Sequence, residues 1–262
     1  MKLPGISIVL AAAFAAITPA AARAGTIFLS GDCNVANPLT GSFGAGISAG
    51  NQRFFQNVLQ GGTRVCVLES VSVGSVDLSD TDINSFYNTL PGVSSVLVSG
   101  TLTSGILAGV NLFVSPVPDH SFTGPELTLL GSFLSGGGSI FFLGENNSSD
   151  FTSANTVINS ALAALGSPLS IVPDLFDSGF HGATGTQIAT DPFTIGVTSF
   201  TYAAPSRVSG GTTLFYGSGQ QPFLAYQIVP EPGSCVLLIL GSALLLRVRA
   251  RKIASALPAL RF

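Results

Sequence analysis

From Thr26 onward, short apolar runs alternate with stretches whose apolar residues recur every three or four positions. Thr26-Ile27-Phe28-Leu29 predicts a first strand that ends at Gly31-Asp32. Ile47, Phe54, Phe55, Val58 and Leu59 share one helical face, closed by Gly61-Gly62. Val65-Cys66-Val67-Leu68 is apolar without alternation, the pattern of a strand covered on both faces. A second helix begins near Ser79 and carries Ile83, Phe86, Tyr87 and Leu90 before Pro91-Gly92 stops it. Ser95 to Val98 and Asn111 to Val114 predict strands three and four, the latter running into the Pro-rich turn Ser115 to Asp119. Thr123-x-x-Glu126 has the form of a capping box ahead of Leu127, Leu130, Phe133 and Leu134. After Gly136-Gly137-Gly138, Ile140-Phe141-Phe142-Leu143 is the clearest central strand. A further helix carries Val157, Ile158, Ala161, Leu162 and Leu165 and ends before Gly166 and Pro168.

Strand and helix in repetition imply parallel pairing, because a parallel neighbour needs a crossover long enough to hold a helix. The expected fold is therefore α/β: a doubly wound, mostly parallel sheet with helices on both faces. Beyond Ser170 the helical signal fades. Phe193 to Ile195, Val197 to Phe200, Thr213 to Tyr216 and Pro222 to Ile228 read as additional C-terminal strands that extend the sheet or form an antiparallel edge. No internal repeat is evident, which weighs against a solenoid or propeller.

The two ends follow different rules from this body. Lys2, the apolar stretch Ile6 to Ile17 and Ala22-Arg23-Ala24 form an N-terminal signal peptide, with cleavage expected between Ala24 and Gly25. At the other end, Val229-Pro230-Glu231-Pro232 precedes an apolar run, Val236 to Leu246, and then Arg247, Arg249, Arg251 and Lys252. The run is short for a permanent span, since a hydrocarbon core of roughly 30 Å needs about 20 helical residues. The basic cluster beyond it places the C-terminus on the cytoplasmic side. The chain thus divides into a signal peptide (1–24), an exported α/β domain (25–228), and a tail (229–262) with a hydrophobic helix and a basic end.

The hinge Pro230-Glu231-Pro232, the apolar run and Arg247, Arg249 and Arg251, in that order, resemble the PEP-CTERM sorting signal of Gram-negative bacteria. The resemblance implies a membrane-embedded processing enzyme of the exosortase type as a partner and a transient membrane anchor through the C-terminal helix. It further implies release to the cell surface or matrix, in association with exopolysaccharide or biofilm.

Charge narrows what the exported body can meet. The whole chain carries a formal charge of −3, but from Gly25 to Val229 only Arg53, Arg64 and Arg207 stand against twelve Asp and Glu, a balance of −9. Nucleic acid is excluded as a partner, because phosphate neutralisation needs clustered Lys and Arg. Bulk attraction to an acidic polysaccharide falls by the same reasoning, which leaves a neutral glycan or an anionic one bridged by divalent cations. Cys235 lies in the tail, so Cys33 and Cys66 are either an exported disulfide or two buried thiols.

From Gly25 to Gly166 the layout also resembles the class I glutamine-amidotransferase-like, flavodoxin-like fold. Its best local piece is Leu127 to Leu134, the triple glycine, and Ile140 to Leu143 followed by Gly144-Glu145. Active enzymes of that fold carry a cysteine on a tight turn after a central strand. The matching turn here, Gly144-Glu145-Asn146-Asn147, has none.

Ligands of open α/β sheets gather at the carboxyl ends of the strands, which singles out Asp32, Glu69, Ser99, Asp119, His120, Glu145 and Asn146. His120 and His181, the only histidines, lack a G-x-S-x-G elbow and read as loop residues. The acidic stretch Asp77 to Asp82 lacks the Gly and Glu of a calcium loop and reads as helix capping. Asp32 and Glu145 remain as the candidate ligand edge. They would serve glycoside hydrolysis only if their carboxyls flanked a sugar at about 5 to 10 Å. The expectation is a non-enzymatic binding or structural module with no cofactor, no metal and no catalytic residue. The rivals are a hydrolase using acids at the strand ends and a plain membrane-anchored periplasmic protein.

Overall fold

The computed structural model describes residues 25–36, 46–70 and 79–229. The segments read above as a signal peptide and a sorting tail lie outside these residues. Among those described, no helix is long and apolar enough to cross a membrane.

Seven strands form one sheet. β1 (Gly25–Ser30), β5 (Ser139–Leu143), β4 (Leu112–Pro116), β2 (Arg64–Leu68) and β3 (Ser94–Val98) run parallel in that spatial order. β11 (Pro222–Val229) and β10 (Thr212–Tyr216) add antiparallel beyond β1, with Gly25 opposite Val229. Of the expected C-terminal strands these two extend the sheet, as its antiparallel edge, while outside it the short β6 (Ser170–Ile171) pairs antiparallel with β9 (Val208–Ser209). Four helices cover it: α1 (Ala49–Val58), α2 (Ser79–Thr89), α3 (Gly124–Ser135) and α4 (Thr152–Ala164).

Alternation along the strands assigns the helices to faces, because successive side chains point to opposite sides. Phe28, Val65, Val67, Phe141 and Leu143 pack with Phe54, Phe55 and Val58 of α1 and Ile83, Phe86 and Tyr87 of α2. Ile27, Leu29, Cys66, Ile140 and Phe142 pack with Leu130 and Leu134 of α3 and Ile158 and Leu162 of α4. With helices on both sides, the central parallel strands β1, β5 and β4 are buried at every position, whichever way a side chain points. The capping box on α3 is present: Glu126 Oε2 accepts from Thr123 N at 2.8 Å and Oγ1 at 2.7 Å, while Oε1 accepts from Leu102 N at 2.8 Å. These bonds outweigh burial and lower the Glu126 pKa.

Cys33 and Cys66 are both buried and free. They pack into opposite faces of the sheet, so the disulfide alternative fails on topology.

Phe193 to Ile195 is not a strand. Pro192 starts a 3-10 turn, Pro192–Thr194, whose first free N–H, from Phe193, is held by Asp191 Oδ1 at 2.9 Å. Without an amide hydrogen Pro192 suits the first helical position and not a ladder. β8 (Ser199–Ala203) begins two residues later than the Val197 start that the apolar pattern suggests, and it pairs with β7 (Phe180–Thr184), for which no pattern spoke.

Both sheet edges are guarded. Beyond β10, Ile188 bridges Phe215 and Ala189 donates to the Leu214 carbonyl. On β3, Ser94 and Val98 bond toward β2, so Ser95 faces outward. Asn88 on α2 meets it like a strand, accepting from Ser95 N at 2.9 Å and donating to Ser95 O at 3.0 Å. Asn88→Ala frees both groups next to half-exposed Val96, creating a template for another strand. The expected result is a concentration-dependent rise in light scattering absent from the wild type. Equal scattering for both proteins would remove this role from Asn88.

Candidate functional site

β1 and β5 are parallel neighbours in register from Thr26–Ser139 to Ser30–Leu143, so their carboxyl ends deliver the next residues side by side. Gly31 lets this happen, because a Cβ there would lie 2.1 Å from the Ser206 carbonyl oxygen. The continuing chains place Asp32 and Glu145 within reach of one group. Asn34 Nδ2 donates to Asp32 Oδ1 and to Glu145 Oε2, each at 2.9 Å. The two candidate residues therefore do meet, but as an interior pair: Asp32 is 0% exposed and Glu145 1%.

Each carboxyl oxygen is occupied by the chain itself. Asp32 Oδ1 also accepts from Asn34 N at 2.8 Å, and Oδ2 accepts from Ala203 N, at the end of β8, at 2.7 Å. Glu145 Oε1 accepts from Asn146 N at 3.0 Å and Nδ2 at 2.7 Å. Its Oε2 accepts from Cys33 N at 3.3 Å and the Cys33 thiol at 3.0 Å. The Glu145 backbone is clamped by Asn155 of α4, which accepts from Glu145 N at 3.0 Å and donates to Glu145 O at 2.7 Å. Ser206 Oγ lies 3.0 Å from the same carbonyl.

No Lys, Arg or His hydrogen-bonds to either carboxyl among the described residues. Burial pushes the Asp32 carboxyl up to about 7, against the pull of the Ala203 and Asn34 donors. Burial, and then the charge of Asp32, raise Glu145 well above the usual carboxylate range. Two like charges in low dielectric cannot both persist, so the pair retains a proton near neutrality. Burial, followed by both carboxyls, raises the Cys33 thiol, which stays protonated and serves Glu145 as a donor. A thiol in that state is not a nucleophile.

The remaining strand-end residues do not join the pair. Glu69, Ser99 and Asp119 are exposed, and His120 pairs with Asp119. His181 stacks on Tyr202 at 5.6 Å, and Tyr202 donates to Asp177 at 2.8 Å. Asp80 accepts from Ser70 N at 2.7 Å at the start of α2, in keeping with the helix-terminal role read for the acidic stretch. Its preceding residues, 71–78, lie outside the described ones.

Asn34, Asn155, Ala203 and Ser206 escaped the sequence reading. Asn155 sits on the first turns of a helix with an apolar face and has no motif. Ala203 acts through its backbone N–H, which any residue but proline supplies.

Chemically, the pair can hold and exchange a proton. Hydrolysis of a glycoside would need room for a sugar between the carboxyls, and here the donors of the chain fill that position. Open cavities lie elsewhere. One of about 420 Å³ is lined by Ile188, Asp191, Thr194 and Ile195, and one of about 600 Å³ by Leu127, Gly131, Leu165 and Val229. Among the described residues no group of three or more His, Cys, Asp and Glu is placed to hold a metal ion.

No protein-family model and no curated protein matches the sequence. Among solved structures, the chain is similar to the mmIFT52 N-terminal domain, at 15% identity and a TM-score of 0.41, over 61% of this chain and 77% of that one. That likeness is too loose to carry any argument about fold detail or function.

Proposed function

We propose that the chain is an exported protein, directed by its signal peptide across the inner membrane and by its PEP-CTERM tail to the cell surface or extracellular matrix. There the α/β body acts as a non-catalytic binding or structural module tied to exopolysaccharide or biofilm. The observation that carries this reading is the ordered tail: Pro230-Glu231-Pro232, the apolar run Val236 to Leu246, then Arg247, Arg249 and Arg251. The tail serves as a transient membrane helix that an exosortase-type enzyme removes. The acidic body, with three arginines against twelve acids, suits export and a partner other than nucleic acid. Its two strand-end carboxyls support a non-catalytic reading, since the fold consumes every one of their oxygens.

Intact mass tests this. Expressed in a host with an exosortase-type enzyme, the protein is expected to begin at Gly25 and to have lost everything beyond the Pro-Glu-Pro region. In a host without that enzyme the tail remains. A retained tail in both hosts overturns sorting and leaves the plain membrane-anchored reading. The hydrolase reading draws on the proton-holding Asp32–Glu145 pair. Glycan hydrolysis by the wild type that Glu145→Gln abolishes would establish it.

A further inference from the structure

We infer that Asp32 and Glu145 form a proton-held latch, fastening the Ala203–Ser206 turn across the carboxyl ends of β1 and β5 and releasing it when the pair loses its proton. The inference is independent of the sorting tail.

The turn is tied to the sheet by few bonds, and most of them involve the pair or its immediate neighbours. Ala203 N donates to Asp32, Ser206 Oγ reaches Glu145 O, and Ser206 N donates to Gly31 O at 2.8 Å. Between them Ala204 holds a left-handed backbone, φ 48°, a conformation that disfavours a residue with a Cβ. The turn is therefore held in place by its partners and not by its own preference. On its outer side it is bound to 174–177, where Phe176 N donates to Pro205 O and Ala204 N to Asp177 O, both at 3.1 Å.

Among the described residues, no group around the pair neutralises a second negative charge. From β1's end it is faced by the Cys33 thiol, and Ser79 at the start of α2 faces that thiol in turn. Asp80 on the same helix spends its carboxylate on Ser70 N and Thr81. From β8 comes Tyr202, whose hydroxyl is committed to Asp177 and whose ring stacks on His181. From α4 comes the neutral Asn155. Arg207, the residue that follows the turn, pairs with Asp174. With one proton the two carboxyls attract each other, and with none they repel across a dry interior. Movement of the Ala203–Ser206 turn admits water and relieves the repulsion. The sign follows from linkage: folding raises the proton affinity of Asp32 from 3.8 to about 7, so its contribution is complete in acid. That contribution declines as pH rises between those two values, and Glu145, raised well above the usual carboxylate range, extends the decline above about 7.

Amide hydrogen exchange on the full-length protein, corrected for intrinsic rates, tests the latch. Protection at Ala203 and Ser206 is expected to fall by about tenfold per pH unit above about 7, while β4 stays constant. Glu145→Gln leaves Asp32 alone, still raised by burial to about 7, so the dependence above that pH should vanish. Thiol alkylation gives a wild-type readout should that variant not fold: with rising pH, Cys33 should gain reactivity relative to Cys66, buried on the other face. Exchange at the turn that is flat from pH 7 to 9, a dependence above pH 7 that persists in a folded Glu145→Gln protein, or equal acceleration of both thiols overturns the inference.

Discussion

Phe54→Ala is expected to lower the unfolding free energy by about 4 kcal/mol, a loss read as a reduced urea midpoint at unchanged slope. The chain has 19 Phe and no Trp, and its core between sheet and helices is a phenylalanine cluster centred on this residue. Phe54 is fully buried and meets Phe28, Phe141, Phe200 and Phe215 edge-on, at ring distances of 6.5, 6.0, 5.4 and 5.1 Å. Such geometry sets the positive edge of one ring against the negative face of the next. The four partners come from β1, β5, β8 and β10, so the cavity left by alanine cannot close by moving one element. The cost should lie at the upper end of the range for large-to-small core changes. A loss below about 1.5 kcal/mol would mean that the cluster repacks and is not a fixed set of contacts.

The second large effect is expected from Asn51→Ala, at roughly 3 to 5 kcal/mol. Asn51 is buried on α1, and its amide donates to Val35 O at 2.7 Å and Thr201 O at 2.8 Å. Its carbonyl accepts from Thr201 N at 2.7 Å. Alanine leaves these three backbone groups buried without partners, each costing about 1 to 3 kcal/mol. The side chain joins the segment after β1 to β8, whose strand partner is β7 and which lies outside the seven-stranded sheet. Asn51→Ala should therefore raise hydrogen exchange in β8 more than in β5. Equal effects on both strands would show that the residue stabilises the fold at large and not this junction. Asn51→Leu restores volume but not the bonds, and is expected to recover little.

Where signal and structure share one stretch of chain, the elements could be read in advance. β5 is legible because Ile140 to Leu143 is apolar at every position, and α3 because Thr123 and Glu126 announce its start. Failures occurred where distant partners decide. β7, Phe180-His181-Gly182-Ala183-Thr184, has no alternation and is a strand because β8 pairs with it. Phe193 looked like a strand residue by its apolarity, but its ring packs on Phe28 and Tyr226, both at 4.8 Å, from a turn that Pro192 fixes. The site was half legible. Sheet topology pointed to Asp32 and Glu145, yet an acid in a Gly-rich turn reads as solvated. Its burial depends on Asn34, Asn155 and Ala203, of which two lie more than a hundred residues from Asp32 along the chain.

The register that sets Gly25 opposite Val229 fixes an orientation. The two ends of the described body, Gly25 and Val229, lie side by side at the amino-terminal rim of the parallel strands. A tail held in a bilayer would draw that rim toward the lipid, and about 20 Å of strand would separate it from the opposite rim. Asp32 and Glu145, buried at that opposite rim, would then lie on the side away from the bilayer, and opening of the turn above them would answer to the acidity there and not to that of the membrane surface.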